Sequence, residues 1–142
     1  MILLDTNVIS EPLKPSGSAS VLAWIDTQMI EALYLSAITL AELRFGIAVM
    51  PDGKRKNALR QRLDEQIVPL FAGRTLSFHP DCADAYATLR ARARRAGKNI
   101  DTADGYIAAI AAANGFAIAT RDTGPFLAAG LDVINPFRHG QP

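Results

Sequence analysis

Residues 1–11 read MILLDTNVISE. The apolar run Ile2 to Leu4 is short and uninterrupted, the pattern of a strand buried on both faces, as parallel strands are. Asp5-Thr6-Asn7 follows at once. These residue types favour N-caps and turns, so the chain passes from a buried strand directly into a helix start. Glu11-Pro12 and Lys14-Pro15 interrupt whatever helix follows.

The same alternation recurs outward from this point. Ser18 or Ser20 can cap a helix carrying Val21, Leu22, Trp24 and Ile25. Leu33 to Ile38 reads as a second strand. Thr39 opens a helix with Leu40, Leu43, Ile47 and Met50 on one face. After the break at Pro51-Asp52-Gly53, a long amphipathic helix is expected, with Leu59, Leu63, Ile67 and Leu70 as its buried stripe. Gly73 ends it, and Leu76 to Phe78 reads as a short strand. Pro80 starts a helix that stops near Gly97, and Asp101 or Thr102 caps the next, which Asn114-Gly115 ends. Phe116 to Ala119, Thr123 to Ala128 and Val133-Ile134 complete the pattern as strand, helix and strand. Short strands alternating with helices imply one α/β domain over residues 1–142 with a mostly parallel sheet.

Bulk properties narrow the function. A chain of 142 residues, 49% hydrophobic and 20% charged, can bury a sizeable core. Its net charge of +1 sets up no strong global field, so any polyanion contact must be local. Cys82 is the only cysteine, excludes an internal disulfide and reads as a small buried residue. The N-terminus lacks the basic and apolar regions of a secretory signal, and no apolar run spans a bilayer. A cytoplasmic protein without membrane contact is expected.

Four carboxylates occupy equivalent places. Asp5 ends the first strand, Glu42 lies in the first turn after the second, Asp104 opens the helix near Asp101, and Asp122 follows Phe116–Ala119. Sites in open parallel sheets form beyond the carboxyl ends of strands. Each acid also has a capping alternative. Thr39 and Glu42 fit a capping box. Asp104 complements its helix dipole, and Asp5 and Asp122 serve as N-caps. Capping alone, however, asks for no convergence on one edge. Clustered carboxylates repel unless protonated or bridged by a cation, and Mg2+ or Mn2+ suits hard oxygen donors. The chemistry implied is metal-assisted phosphodiester hydrolysis. No Walker A or Gly-x-Gly-x-x-Gly sequence is present. His79 and His139, the only histidines, are not in zinc-ligand spacing.

MILLDTNVISE, YLSAITLAELRFGIA, DTADGYIAAIAAANG and IATRDTGPF, in this order, resemble the VapC- and FitB-like PIN-domain toxins over nearly the whole chain. The resemblance implies a three-layer α/β/α sandwich. It implies metal-binding or catalytic roles for Asp5, Glu42, Asp104 and Asp122, with Thr6, Asn7 and Thr120 in support. It implies an Mg2+- or Mn2+-dependent endoribonuclease, a homodimer, and a small DNA-binding antitoxin of the VapB or FitA kind, with a larger complex on operator DNA. Asp101 is an extra acid whose first role is helix capping.

RNA near an acidic site needs cations to hold its phosphates. Arg90, Arg94, Arg95 and Lys98 lead into the Asp104 helix, and Arg44 follows Glu42. These are candidate RNA or antitoxin contacts. The cluster Lys54, Arg55, Lys56, Arg60 and Arg62 reads as a solvated face. Two other readings compete. A non-cleaving partner of a DNA-bound repressor complex is one. An aspartyl-phosphate phosphatase with Asp5 as nucleophile is the other, weakened because Asn7 stands where that chemistry wants an acid.

Overall fold

The computed structural model describes residues 1–142. In chain order it forms β1 (Ile2–Leu4), α1 (Thr6–Ile9), α2 (Ala19–Asp26), β2 (Leu33–Ser36), α3 (Ala37–Ala48), α4 (Lys54–Arg62), β3 (Thr75–Leu76), α5 (Pro80–Arg95), α6 (Thr102–Asn114), β4 (Ala117–Ala119), α7 (Thr123–Ala128) and β5 (Val133–Ile134). Five strands pair in the order β3-β2-β1-β4-β5, and every pairing is parallel.

Successive residues of a strand face opposite sides of a sheet, and β1 uses both. Leu4 joins Val8, Trp24, Leu33, Leu35, Leu43 and Phe71 in one apolar cluster. Leu3 joins Leu89, Ile107, Ile110, Ile118 and Phe126 in another. Two cores with one sheet between them make a three-layer α/β/α sandwich, the architecture expected from the sequence. Cys82 is fully buried in the second core.

Several boundaries differ from expectation, each for a local reason. Thr39 does not open α3. The buried Ser36 does, its Oγ accepting from the Thr39 amide at 3.0 Å, so β2 ends two residues before Ile38. The long helix after Gly53 changes pitch. It is α-helical to Arg62, π-helical over Leu63–Ile67 and 3-10 over Val68–Phe71, where Pro69 has no N–H to continue the ladder. The changed pitch turns Leu70 outward to 52% exposure and puts Phe71 in the core at 2%. The third strand is Thr75–Leu76 rather than Leu76–Phe78. In α2, Val21 and Trp24 are buried in the first core and Ile25 packs against it, while Leu22 is exposed.

Topology fixes where the acids can meet. β1 sits centrally, with the chain crossing to β2 on one side and to β4 on the other. That is a switch point, where a crevice opens at the carboxyl edge. α3 leaves β2 at that edge. α6 runs back to β4 through Gly115, in left-handed conformation at φ 68°, so the N-terminus of α6 lies there too.

The close packing of α5 on α6 depends on Gly105. A Cβ there would stand 2.9 Å from Tyr86 Cε2 and 3.3 Å from Arg90 Cδ, whereas at Gly46 in α3 nothing lies within 4 Å. Two glycine-to-alanine changes should therefore have opposite signs. Gly46→Ala should stabilise by up to about 1 kcal/mol through helix propensity. Gly105→Ala should destabilise by about 1–3 kcal/mol through overpacking. Urea unfolding of the two variants measures both, and equal signs would contradict the packing described.

Candidate active site

Asp5 stands at the carboxyl end of β1, 4% exposed. Its amide donates to the Ala119 carbonyl at 2.9 Å, which ties it to the end of β4. Three donors hold its carboxylate: the Thr6 amide on Oδ1 at 2.8 Å, and on Oδ2 the Thr120 hydroxyl at 2.8 Å and the Asn7 amide at 3.4 Å. Thr120 is fully buried. Besides donating to Asp5, its oxygen accepts from Asn7 Nδ2 at 3.3 Å and from the Asp122 amide at 3.2 Å. Asn7 Oδ1 in turn accepts from the Arg121 amide at 3.2 Å. Thr6, Asn7 and Thr120 thus lock the turns after β1 and β4 together.

Glu42 reaches the same edge from α3. Its Oε1 accepts from Thr6 Oγ1 at 2.8 Å, and Thr39 Oγ1 lies 3.3 Å from the same hydroxyl. The capping box is not formed, because Ser36 caps α3. Asp104 is half-buried in the first turn of α6. Asp101 caps that helix, its Oδ1 accepting from the Asp104 amide at 2.9 Å. Asp122 is exposed and occupies the N-cap position of α7 without a side-chain capping bond.

Electrostatic repulsion links Asp5 and Asp104 to Glu42 and Asp122. Burial pushes Asp104 up to about 7, with Asp5, Asp101, Glu42 and Asp122 adding repulsion. Burial also raises Asp5, against the lowering effect of its bonds to Thr120 and Thr6, while Glu42 and Asp122 raise it further. No cation answers this charge. The ion pairs are Lys14–Glu11, Arg44–Asp64 and Lys56–Asp52, all elsewhere. No three acidic, histidine or cysteine groups converge to ligating positions around one point. Hard oxygen donors, unpaired negative charge and mutual repulsion fit a divalent cation such as Mg2+ or Mn2+.

A groove of about 420 Å3 runs from Thr6 and Glu42 over Leu13, Leu43, Ile47, Met50 and Leu59. A second cleft, between the end of α5 and the entrance to α6, is lined by Arg90, Arg94 and Lys98. Of the remaining candidate cations, Arg95 is exposed at the end of α5, and Arg44 pairs with Asp64 at 2.9 Å. His79 and His139 are exposed. The sequence pattern did not single out Ser36 as the helix cap, nor Tyr86 and Gly105. A serine at a strand-to-helix junction was the available signal for the first. The others depend on a contact between α5 and α6 that no local pattern announces.

Comparison with known proteins agrees with this fold. The PIN domain model matches residues 2–130. The plasmid stability protein StbB of Pseudomonas syringae pv. tomato is 62% identical over 137 residues, 96% of this chain and 99% of that protein. VapC ribonuclease Y4jK of Sinorhizobium fredii is 61% identical, with 96% and 98% covered. A solved structure of FitAB bound to an IR36 DNA fragment superposes with a TM-score of 0.93 at 53% identity, covering 96% of both chains. The chain belongs to the PIN-domain family, in the branch that includes the VapC and FitAB toxin proteins.

The raised Asp104 has a measurable consequence for stability. Below about pH 4 its carboxyl is protonated in both folded and unfolded chains. Between there and about 7 only the folded chain keeps the proton. Native protein then binds more protons, so this group's contribution to stability falls as pH rises through that window and stays low above it. Asp104→Asn mimics the protonated form. In chelator it should melt like wild type near pH 4 and above wild type at pH 8. A melting difference that does not change with pH would show that Asp104 is not held under this repulsion.

Proposed function

We propose that this chain is the toxin of a toxin–antitoxin pair and acts as an Mg2+- or Mn2+-dependent endoribonuclease. The observation that carries the reading is the unpaired acidic centre, with Asp5 immobilised by Thr120, Thr6 and Asn7 at a sheet switch point. Kinship with a VapC ribonuclease supports the choice of RNA as substrate.

Asp5, Glu42, Asp104 and Asp122 would hold the ion. When bound, such an ion activates water and neutralises charge on a phosphoryl group undergoing hydrolysis. The protein's own work is positional. Thr120 and Asn7 fix the rotamer of Asp5, so that one carboxylate of the centre is pre-set. Thr6 steadies Oε1 of Glu42 and leaves Oε2 for coordination. Thr120 is a positioning residue rather than a catalytic one, because it acts through Asp5. The exposed Asp122 is the least constrained of the four.

The pairing with an antitoxin is part of the same proposal, supported by the FitAB complex on DNA. A small DNA-binding partner of the VapB or FitA kind would lay an apolar segment in the groove over Leu13, Leu43, Ile47 and Met50. Its basic residue would enter the acidic edge, since a guanidinium matches carboxylates in a planar fork. The same DNA-bound complex supports a second role, a toxin acting as a subunit of an operator-bound repressor. We also propose a homodimer. Phe45 on α3 and Val49, which caps its C-terminus, are 69% and 63% exposed, an apolar ridge with no partner in the monomer.

Four site variants and one surface variant test this reading. Asp5→Asn, Glu42→Gln and Asp104→Asn should each cut single-stranded RNA cleavage on the order of a hundredfold or more, while the fold survives a thermal melt. Asp122→Asn should cost less. Excess chelator should abolish wild-type cleavage. A folded Asp5→Asn protein cutting at the wild-type rate would refute the site, and so would full activity in chelator. For the dimer, light scattering should show a mass that falls to the monomer's in Phe45→Glu. A wild-type monomer at every concentration would refute the interface and leave the nuclease intact.

A further inference from the structure

The cleft at the end of α5 has a composition of its own. It encloses about 540 Å3 between the end of α5 and the entrance to α6, and Tyr86, Arg90, Arg94, Lys98 and Asn99 line it. No carboxylate lines it, and none of its three cations takes part in an ion pair. Solvated surface charge would not need the framework found here. Arg90 lies over the Tyr86 ring at 5.3 Å and donates from Nη1 to the Tyr86 hydroxyl at 2.6 Å. Tyr86 is itself stacked on Tyr106 with centroids 4.9 Å apart, and Phe78 packs edge-on against Tyr106 at 5.1 Å. One guanidinium is thereby fixed in direction, and the remaining N–H groups of its fork are uncommitted.

The cleft adjoins the acids through a single helix. Gly105, the neighbour of Asp104, lets Arg90 and Tyr86 approach the first turn of α6. The chain enters that turn from Ile100 at the floor of the cleft. An anionic strand drawn toward the acidic centre would meet net repulsion there, so it must be held from beside it. Unpaired cations next to the first turn of α6, with Arg90 fixed in direction by Tyr86, do this, and an arginine fork matches a phosphate in two parallel bonds.

We propose that this cleft is the phosphate-binding subsite for single-stranded RNA, gripping the backbone next to the nucleotide delivered to the acids. Arg90 is the oriented anchor, and Arg94 and Lys98 supply the outer charge. The proposal rests on the ribonuclease reading for the strand's destination only. Binding is measurable without cleavage.

The test is fluorescence anisotropy with a short labelled single-stranded RNA, using the full chain carrying Asp5→Asn. Adding Arg94→Gln and Lys98→Gln, both at exposed positions, should weaken binding by about tenfold or more. It should also lower the slope of log affinity against log salt by about 1.4, at about 0.7 for each phosphate no longer neutralised. Arg90→Lys should also weaken binding, because a point charge cannot keep the stacked, forked geometry. In the otherwise wild-type chain, Arg94→Gln with Lys98→Gln should raise KM for cleavage with little change in kcat. Lys54→Gln with Arg60→Gln, on a helix away from the cleft, should leave affinity and slope unchanged. Unaltered affinity and slope in the Arg94→Gln, Lys98→Gln chain would overturn the proposal. So would loss of poly-L-glutamate binding with RNA binding intact, which would make the cleft an acidic-peptide site. If the wild-type chain binds this RNA through the cleft but cuts nothing in Mg2+ or Mn2+, the subsite stands and the nuclease reading falls.

Discussion

The hydrogen bond from Thr120 to Asp5, 2.8 Å long and shielded from water, joins two turns separated by most of the chain. It exists because β1 and β4 are parallel neighbours in register, Leu4 opposite Ala119. The residue after each strand therefore emerges at the same height. Every other feature of the acidic centre is hung from that alignment. Asn7 bonds to Thr120, Thr120 receives the Asp122 amide, and Asn7 receives the Arg121 amide. A one-residue slip between β1 and β4 would exchange the faces of the strand. It would carry Leu3 and Leu4 into the wrong cores and part Asp5 from Thr120 at once. The apolar core and the site enforce the same register.

Gathering like charges at one edge costs stability, and the protein places that cost beside its most rigid elements. Asp5 follows a strand whose Leu3 and Leu4 are both fully buried, and Asp104 opens a helix with five consecutive buried residues, Ile107 to Ala111. Burying a leucine or isoleucine is worth roughly 1.5–3 kcal/mol each, so a few such side chains outweigh the repulsion. The destabilised carboxylates are then available to whatever supplies positive charge. A cation or a partner's guanidinium that binds the folded chain removes the repulsion and stabilises the fold by mass action. Under the proposed reading, ligand binding and stability would be coupled through Asp5 and Asp104.

Much of this was legible in the sequence, because the relevant signals are local. Apolar triplets followed by Asp, Ser or Thr mark strand ends, and the sheet's parallel order follows from the helices between them. The failures were at places where tertiary packing overrides pattern. Leu70 fits the 3.6-residue stripe of Leu63 and Ile67, but the π and 3-10 segments shift its phase and turn it out. Val21 and Trp24 read equally well as surface or core, and only the position of α2 over the sheet decides for core. The Tyr86–Arg90 pair sits at a common helical spacing. Its meaning depends on Gly105, which is in a different helix and attracts no notice alone.

Who does the capping bears directly on the choice between capping and chemistry. Asp5, Asp104 and Asp122 stand in a first turn or at a cap, where a carboxylate is useful to the helix, whereas Glu42, expected in a first turn, lies in the second turn of α3 because that helix starts at Ala37. In α3 the capping task falls to Ser36, and in α6 to Asp101. Glu42 and Asp104 are thereby released from any duty to their own helices. Asp122 stands at a cap position and makes no capping bond. Only Asp5 bonds to its own helix, and it does so with Oδ1, while Oδ2 is directed by Thr120 and Asn7. A fold that needed these acids only for its helix ends would not have provided Ser36 and Asp101 as well. The duplication leaves Glu42, Asp104 and Asp122 without a capping bond at the edge where the sheet's switch point opens a crevice, and Glu42 bonds instead to Thr6 of the neighbouring turn.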